Sequence, residues 1–131
     1  MTWLRLTRVQ AKIERRAVEQ IRAHGLSYGQ FDVLAHVGAA PGISQQQLAD
    51  SLLVTKGNAS QLLDKMEASG LLERRQDGRS NHVFLTDKGA ALYGVVVPEH
   101  EALIAEQLAA LSADEQQMLH GLLRRLDRAQ G

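Results

Sequence analysis

The run from residue 43 to residue 89, ISQQQLADSLLVTKGNASQLLDKMEASGLLERRQDGRSNHVFLTDKG, constrains this chain more than any other stretch. Its first half changes face every three to four residues and its second half does not. Ser44 and Gln47 have the spacing of a capping box, opening a short helix that buries Leu48, Ala49 and Leu52. Thr55 is placed to cap a second helix, whose apolar face is Ala59, Leu62, Leu63 and Met66, and Gly70 stops it. After Gly70 come two runs, residues 71–75 and 82–85, short and partly β-branched or aromatic, on either side of Asp77-Gly78. They read as a hairpin with a tip of more than two residues. Two helices with a tight turn between them, followed by a hairpin, form a helix-turn-helix with a wing.

The flanks are helical. Leu6, Val9, Ile13, Ala17 and Ile21 recur in steps of three and four over residues 3–24, and Gly25 ends the pattern. Ser27 with Gln30 is a second capping box, opening a helix through Phe31, Val33, Leu34 and Val37 that Pro41-Gly42 closes. From Asp87 the pattern returns through Leu92, Val96, Leu103 and Leu108, with Pro98 expected to kink or interrupt it, because proline lacks the N–H and crowds the preceding turn. Ser112 with Glu115 opens a last helix carrying Leu119, Leu122, Leu123 and Leu126. The expected architecture is mainly α with a small β-hairpin wing. It is a single domain over residues 1–131, with a winged helix-turn-helix at 26–89 and helical dimerisation regions at 1–25 and 90–131. The terminal leucine stripes exceed what the central unit needs for its own core. They expose apolar area unless they meet each other or a partner, so a homodimer is expected.

Composition enters mainly through what it excludes. With 44% hydrophobic and 23% charged residues the chain has ordinary globular content, so disorder is not expected. No apolar run is long enough for a bilayer and no secretory signal is visible, so the expectation is a cytoplasmic protein with no membrane partner. The absence of cysteine removes disulfides, thiol sensing and cysteine–zinc sites. Fifteen basic residues balance fifteen acidic ones, which argues weakly against a nucleic-acid partner. Lys56, Lys65, Arg74, Arg75 and Arg79 do fall in the winged segment, among Asp64, Glu67, Glu73 and Asp77.

Winding the helix after Thr55 at 100° per residue turns Leu62, Met66 and Ala59 inward. Gly57, Ser60, Gln61 and Asp64 then face out, with Lys56 and Lys65 on the flanks; Asn58 completes the polar surface. Small and amide-bearing groups allow close approach to base edges, so Gln61 suits adenine and Lys56 suits guanine or a phosphate. Arg79 at the hairpin tip, held by Asp77, suits a minor-groove or backbone contact. Ser44, Gln45 and Gln46 suit phosphate, although Ser44 and Gln47 equally suit a plain cap. Arg74 and Arg75 alternate on a strand, so at most one faces DNA; Arg74 is taken as the candidate. Asp64 repels phosphate and suits the orienting of Lys65 or a neighbouring arginine. The competing reading for each is a solvated surface group.

In this order the pieces resemble the MarR (multiple-antibiotic-resistance regulator) family over essentially the full length. They are Leu26-Ser27-Tyr28-Gly29-Gln30-Phe31, Ser44-Gln45-Gln46-Gln47-Leu48-Ala49, the stretch from Val54 to Glu67, Gly70-Leu71-Leu72-Glu73-Arg74, Asp77-Gly78-Arg79 and Leu85-Thr86-Asp87-Lys88-Gly89. The resemblance implies a homodimeric transcription factor, a repressor binding near-palindromic double-stranded DNA, with control by small, often aromatic, ligands. Three departures stand out: Ser80, Asn81 and His82 replace the charged residues that often follow the wing arginine, the first helix begins almost at Met1, and cysteine-based peroxide sensing is excluded.

Tyr28, Phe31 and Tyr93 are candidates to line a ligand pocket, or else belong to the core. His36 and His100, with Glu101, would need the fold to bring them together to hold a metal. The five histidines show no close pair spacing, so neither metal nor cofactor is expected. No nucleophile–base pair, phosphate loop or carboxylate constellation is legible, so an enzyme is not expected. The alternative to a DNA-binding regulator is a winged-helix protein-interaction module without DNA binding, favoured slightly by neutrality and the thinned wing.

Overall fold

The structure, a computed structural model, describes residues 1–52 and 56–131, with Lys56 described in its backbone alone. The element order is α1 (Thr2–Arg22), α2 (Tyr28–Ala39), β1 (Ile43–Ser44), α3 (Gln45–Ser51), α4 (Lys56–Ala68), β2 (Leu72–Asp77), β3 (Ser80–Leu85), α5 (Asp87–Leu108) and α6 (Ala113–Ala129). All three expected capping boxes form, at Ser27/Gln30, Ser44/Gln47 and Ser112/Glu115, each satisfying two orphan N–H groups at a helix start. Hydrogen bonding to Ser112 holds the Glu115 carboxyl below the usual carboxylate range. The Thr55 cap lies outside the described residues.

Three expectations are corrected. Pro98 does not interrupt α5, which runs through it as one 22-residue helix. Val96, fully buried two residues earlier, and packing against both α1 and α2 hold the helix together where local preference would end it. The wing tip is tighter than read: Asp77 pairs with Ser80, leaving only Gly78 and Arg79 in the turn. Gly78 takes φ 61° and Arg79 does not share the left-handed region, the signature of a two-residue turn with glycine first. The third correction is an added strand. Ile43 and Ser44 pair with Val83 and His82 as a third, antiparallel strand, so the sheet order is β1-β3-β2.

The core lies where α2, α3, α4 and the sheet converge. Val33, Leu34, Val37, Leu48, Leu63, Met66, Leu72 and Val83 are all buried there. Ile21 from α1 and Val96 from α5 close it from behind. On α4 the fully buried leucine is Leu63, and Leu62, expected inward, is only half-buried because it lies over Gly29 of α2. The start of α5 is seated on the hairpin by close backbone approach. The Thr86 N–H donates to the Leu71 carbonyl at 3.1 Å, and a Cβ on Gly89 would stand 2.1 Å from that same oxygen. Only glycine fits there.

Among the described residues no helix is long and apolar enough to cross a membrane. The terminal helices contrast with this core. α6 contains no buried residue, and Trp3, Leu4, Val9, Met118, Leu122 and Leu126 are all exposed.

Candidate nucleic-acid interface

Burial of Ala59, Leu63 and Met66 fixes which side of α4 faces out. Gly57, Asn58, Ser60, Gln61, Asp64 and Lys65 are exposed on the remaining surface. The side chains of Ser60, Gln61 and Lys65 make no hydrogen bond or ion pair with other described residues. The side chain of Lys56 and the whole of Thr55 lie outside the described residues. Gln61, Asn58 and Lys65 line one wall of a cleft of about 600 Å³ whose other wall is the first turn of α2 at Gly29. A Cβ at Gly57 would meet nothing within 4 Å among the described residues, so none of them requires glycine there.

A second cleft, about 430 Å³, separates the start of α3 from the wing tip and is lined by Gln45, Gln46, Arg79, Ser80 and Asn81. The structure thus brings two sequence candidates, the α3 amides and Arg79, to one place. Gln46 and Arg79 are exposed; the Oε1 of Gln45 is buried without a hydrogen-bond partner among the described residues. Ser44 is accounted for differently: its Oγ accepts from the Gln47 N–H at 3.1 Å, which is the plain cap. No ion pair joins Asp77 to Arg79 among the described residues, so Arg79 is held by the turn and not by a carboxylate.

Arg74 is committed inside the protein. Its Nη2 donates to Asp64 Oδ1 at 2.6 Å and to Glu67 Oε1 at 3.0 Å, and its backbone N–H donates to Glu67 Oε2 at 3.2 Å. Hydrogen bonds from Arg74 hold the Glu67 carboxyl below its ordinary range, and the two carboxylates raise Arg74 in turn. Two acids engage one guanidinium, so Arg74, a candidate for DNA contact, is held in an intramolecular pair. The expected orienting role of Asp64 does have its arginine. Arg75 pairs with Glu73 and lies over the Phe84 ring, 4.3 Å from its centroid.

The aromatic candidates separate. Tyr28 and Phe31 stack together with His100, the Phe31–His100 centroids being 4.5 Å apart, whereas Tyr93 packs on Gly38 of α2 as part of the core. Burial lowers the His100 pKa, and its Nε2 has no hydrogen-bond partner among the described residues; burial likewise raises the pKa of Tyr28, with Asp32 and Glu14 adding to it. Tyr28 alone of the three lines the apolar groove of about 340 Å³ between α1, α5 and α6, with Leu6, Val9, Ile104 and Leu119. His36 is engaged with Asp32, at 2.8 Å to its carbonyl and 3.2 Å to its carboxylate, and no cluster of three metal-ligating side chains occurs among the described residues. The part played by His100 was missed in the sequence because a lone histidine on a helix carries no pattern.

The MarR family model matches residues 24–80, which spans α2 through the wing tip. An uncharacterized HTH-type transcriptional regulator of Bacillus cereus is 30% identical over 127 residues, covering 96% of this chain and 86% of the relative. The HTH-type transcriptional regulator PecS of Dickeya dadantii is 33% identical, covering 94% of this chain and 78% of PecS. Among solved structures, a MarR family regulator from Listeria monocytogenes complexed with a 26mer DNA superposes with TM-score 0.84 at 27% identity, over 96% of this chain and 87% of that one. With a motif order, a fold and full-length relatives in agreement, this chain is a DNA-binding transcriptional regulator and belongs to the MarR family.

Proposed function

We propose that the protein is a cytoplasmic, ligand-responsive repressor, not an enzyme, that binds a near-palindromic operator as a homodimer. Residues 26–89 form its reading head, and residues 1–25 and 90–131 its dimerisation region. Gly57, Asn58, Ser60, Gln61 and Lys65 on α4 meet base edges in the major groove, with Thr55 and Lys56 at its entry. Gln45 and Gln46 with Arg79 straddle the neighbouring backbone, and Ser44 supports them as the cap of α3. The observation that carries this reading is that Ser60, Gln61 and Lys65 on the outer face of α4, and Arg79 at the wing tip, make no side-chain hydrogen bond or ion pair among the described residues. Uncommitted amides and cations on an otherwise well-satisfied surface are what base edges and phosphates require.

The dimer reading rests on α6. Seventeen residues of amphipathic helix with nothing buried, beside an apolar groove that Leu119 and Leu123 help to line, supply a self-complementary surface. A second copy related by a twofold axis sets two α4 helices against half-sites about 34 Å apart, one turn of DNA. Tyr28, which faces the groove and contacts Phe31 of the head, is where a small aromatic ligand would bear on both regions.

The test is fluorescence anisotropy on sequences selected from a random pool, at several salt concentrations. Gln61→Ala is expected to relax preference at one base pair by about 1–3 kcal/mol. Arg79→Ala is expected to weaken all sequences alike and to make the salt slope shallower by about 0.9. A chain that selects no sequence would return the protein to an interaction module.

A further inference from the structure

The two carboxylates on Arg74 come from α4 and the guanidinium from β2, so the ion pair spans the reading helix and the wing. We propose that Arg74 is a positioning residue for DNA recognition: through Asp64 and Glu67 it sets the roll of α4 against the wing, and so the angle at which Gln61 and Lys65 are presented. This inference rests on the reading of α4 as the base-reading helix.

The argument is geometric. On a helical wheel the buried residues Ala59, Leu63 and Met66 form the inward stripe, Asp64 and Glu67 lie on the shoulder toward β2, and Leu62 lies on the shoulder toward α2. Apolar packing along the stripe holds α4 down but is non-directional, so it tolerates some rolling about the axis. The shoulders limit that roll. On one side Leu62 rests over Gly29, where a Cβ would stand 3.1 Å from Leu62 Cδ1. On the other, Arg74 makes charge-assisted bonds to residues three positions apart, and its own N–H is fixed to Glu67 at 3.2 Å. A planar fork tied at both backbone and side chain is directional where the stripe is not. The two carboxylates are exposed, although the Arg74 side chain is mostly covered, so the clamp adds little to global stability. Its effect falls on orientation.

The test compares Arg74→Ala, Arg74→Lys, Glu67→Gln and the double variant Arg74→Ala/Glu67→Gln with wild type on a selected operator and on scrambled DNA, across salt. The expected result is a loss of about tenfold in operator affinity for Arg74→Ala. Scrambled DNA should bind as before, the salt slope should stay constant, and the melting temperature should fall by no more than about 3 °C. Arg74→Lys, keeping charge but losing the fork, should recover only part of the loss, and the double variant should lose less than the sum of the singles. An equal loss on both DNAs with a slope shallower by about 0.9 would make Arg74 a phosphate contact and overturn the proposal. Unchanged operator affinity would reduce the pair to surface decoration and overturn it too. Wild-type protein that discriminates no sequence would remove the base-reading assignment itself, a failure distinct from either.

Discussion

The reading head and the terminal helices are both amphipathic, yet they end in opposite states. Leu34, Leu48, Leu63 and Val83 of the head are fully covered by its own neighbours, whereas Leu122 and Leu126 of α6 stand about half exposed. The head also satisfies much of its backbone internally, with caps on α2 and α3, a three-stranded sheet and the Thr86 seat on Leu71. A chain that satisfies one half internally and leaves leucine stripes bare on the other is built for a partner at that second half. Free energy of folding and free energy of assembly are therefore separable here, and variants should move one without the other.

The largest separation is expected from Leu122→Glu/Leu126→Glu. Both positions are exposed in the isolated chain, so far-ultraviolet circular dichroism should keep its helical signal. Sedimentation should show a monomer, and operator affinity should fall by a hundredfold or more as bivalent binding is lost, on the order of the effective-concentration gain. A dimer that survives the double change would move the interface away from α6.

Gly89→Ala acts on the other region. A methyl group 2.1 Å from the Leu71 carbonyl must push α5 off the hairpin, because backbone cannot rotate out of the way. A loss of about 2–4 kcal/mol in urea unfolding is expected. Loss of dimer at constant head stability would contradict the division just drawn.

What the sequence shows plainly here is local. The capping boxes at Ser27, Ser44 and Ser112 join residues three apart, and all three form. The stripe of α4 is legible too: Ala59, Leu63 and Met66 are buried as expected, and only Leu62 falls short. What stayed hidden depends on distant partners. β1 is two residues long and exists only because Val83 and His82, about 40 positions on, lie beside it. The pairing of Arg74 cannot be read from strand alternation, since its carboxylates stand on another element. The continuity of α5 through Pro98 has the same cause: packing on two helices outweighs the local penalty.

His100 joins the two regions, and pH offers a smaller test. Burial lowers its pKa, partly offset by Glu101, so the folded state binds its proton less readily than the unfolded chain. Stability contributed by the neutral ring is thus complete above the unfolded value of about 6.5 and is lost as pH falls through the folded value. Melting temperature should drop between pH 7.5 and pH 5, and His100→Phe, which keeps a ring against Phe31, should reduce that drop. An identical pH profile in the variant would show that the ring nitrogen bears no such load.

The smallest expected effect is the most discriminating about the head. Gly57 lies in the first turn of α4, exposed, with open space where a Cβ would stand. Alanine there should stabilise the helix by up to about 1 kcal/mol, because glycine gives up more backbone freedom on folding. No described residue calls for glycine there, and a surface that approaches more closely than a methyl group permits would do so. Gly57→Ala is therefore expected to raise the urea midpoint while lowering operator affinity. If both rise together, the glycine is not there for DNA, and the closest approach of α4 to the groove must be sought further along the helix, at Gln61 and Lys65.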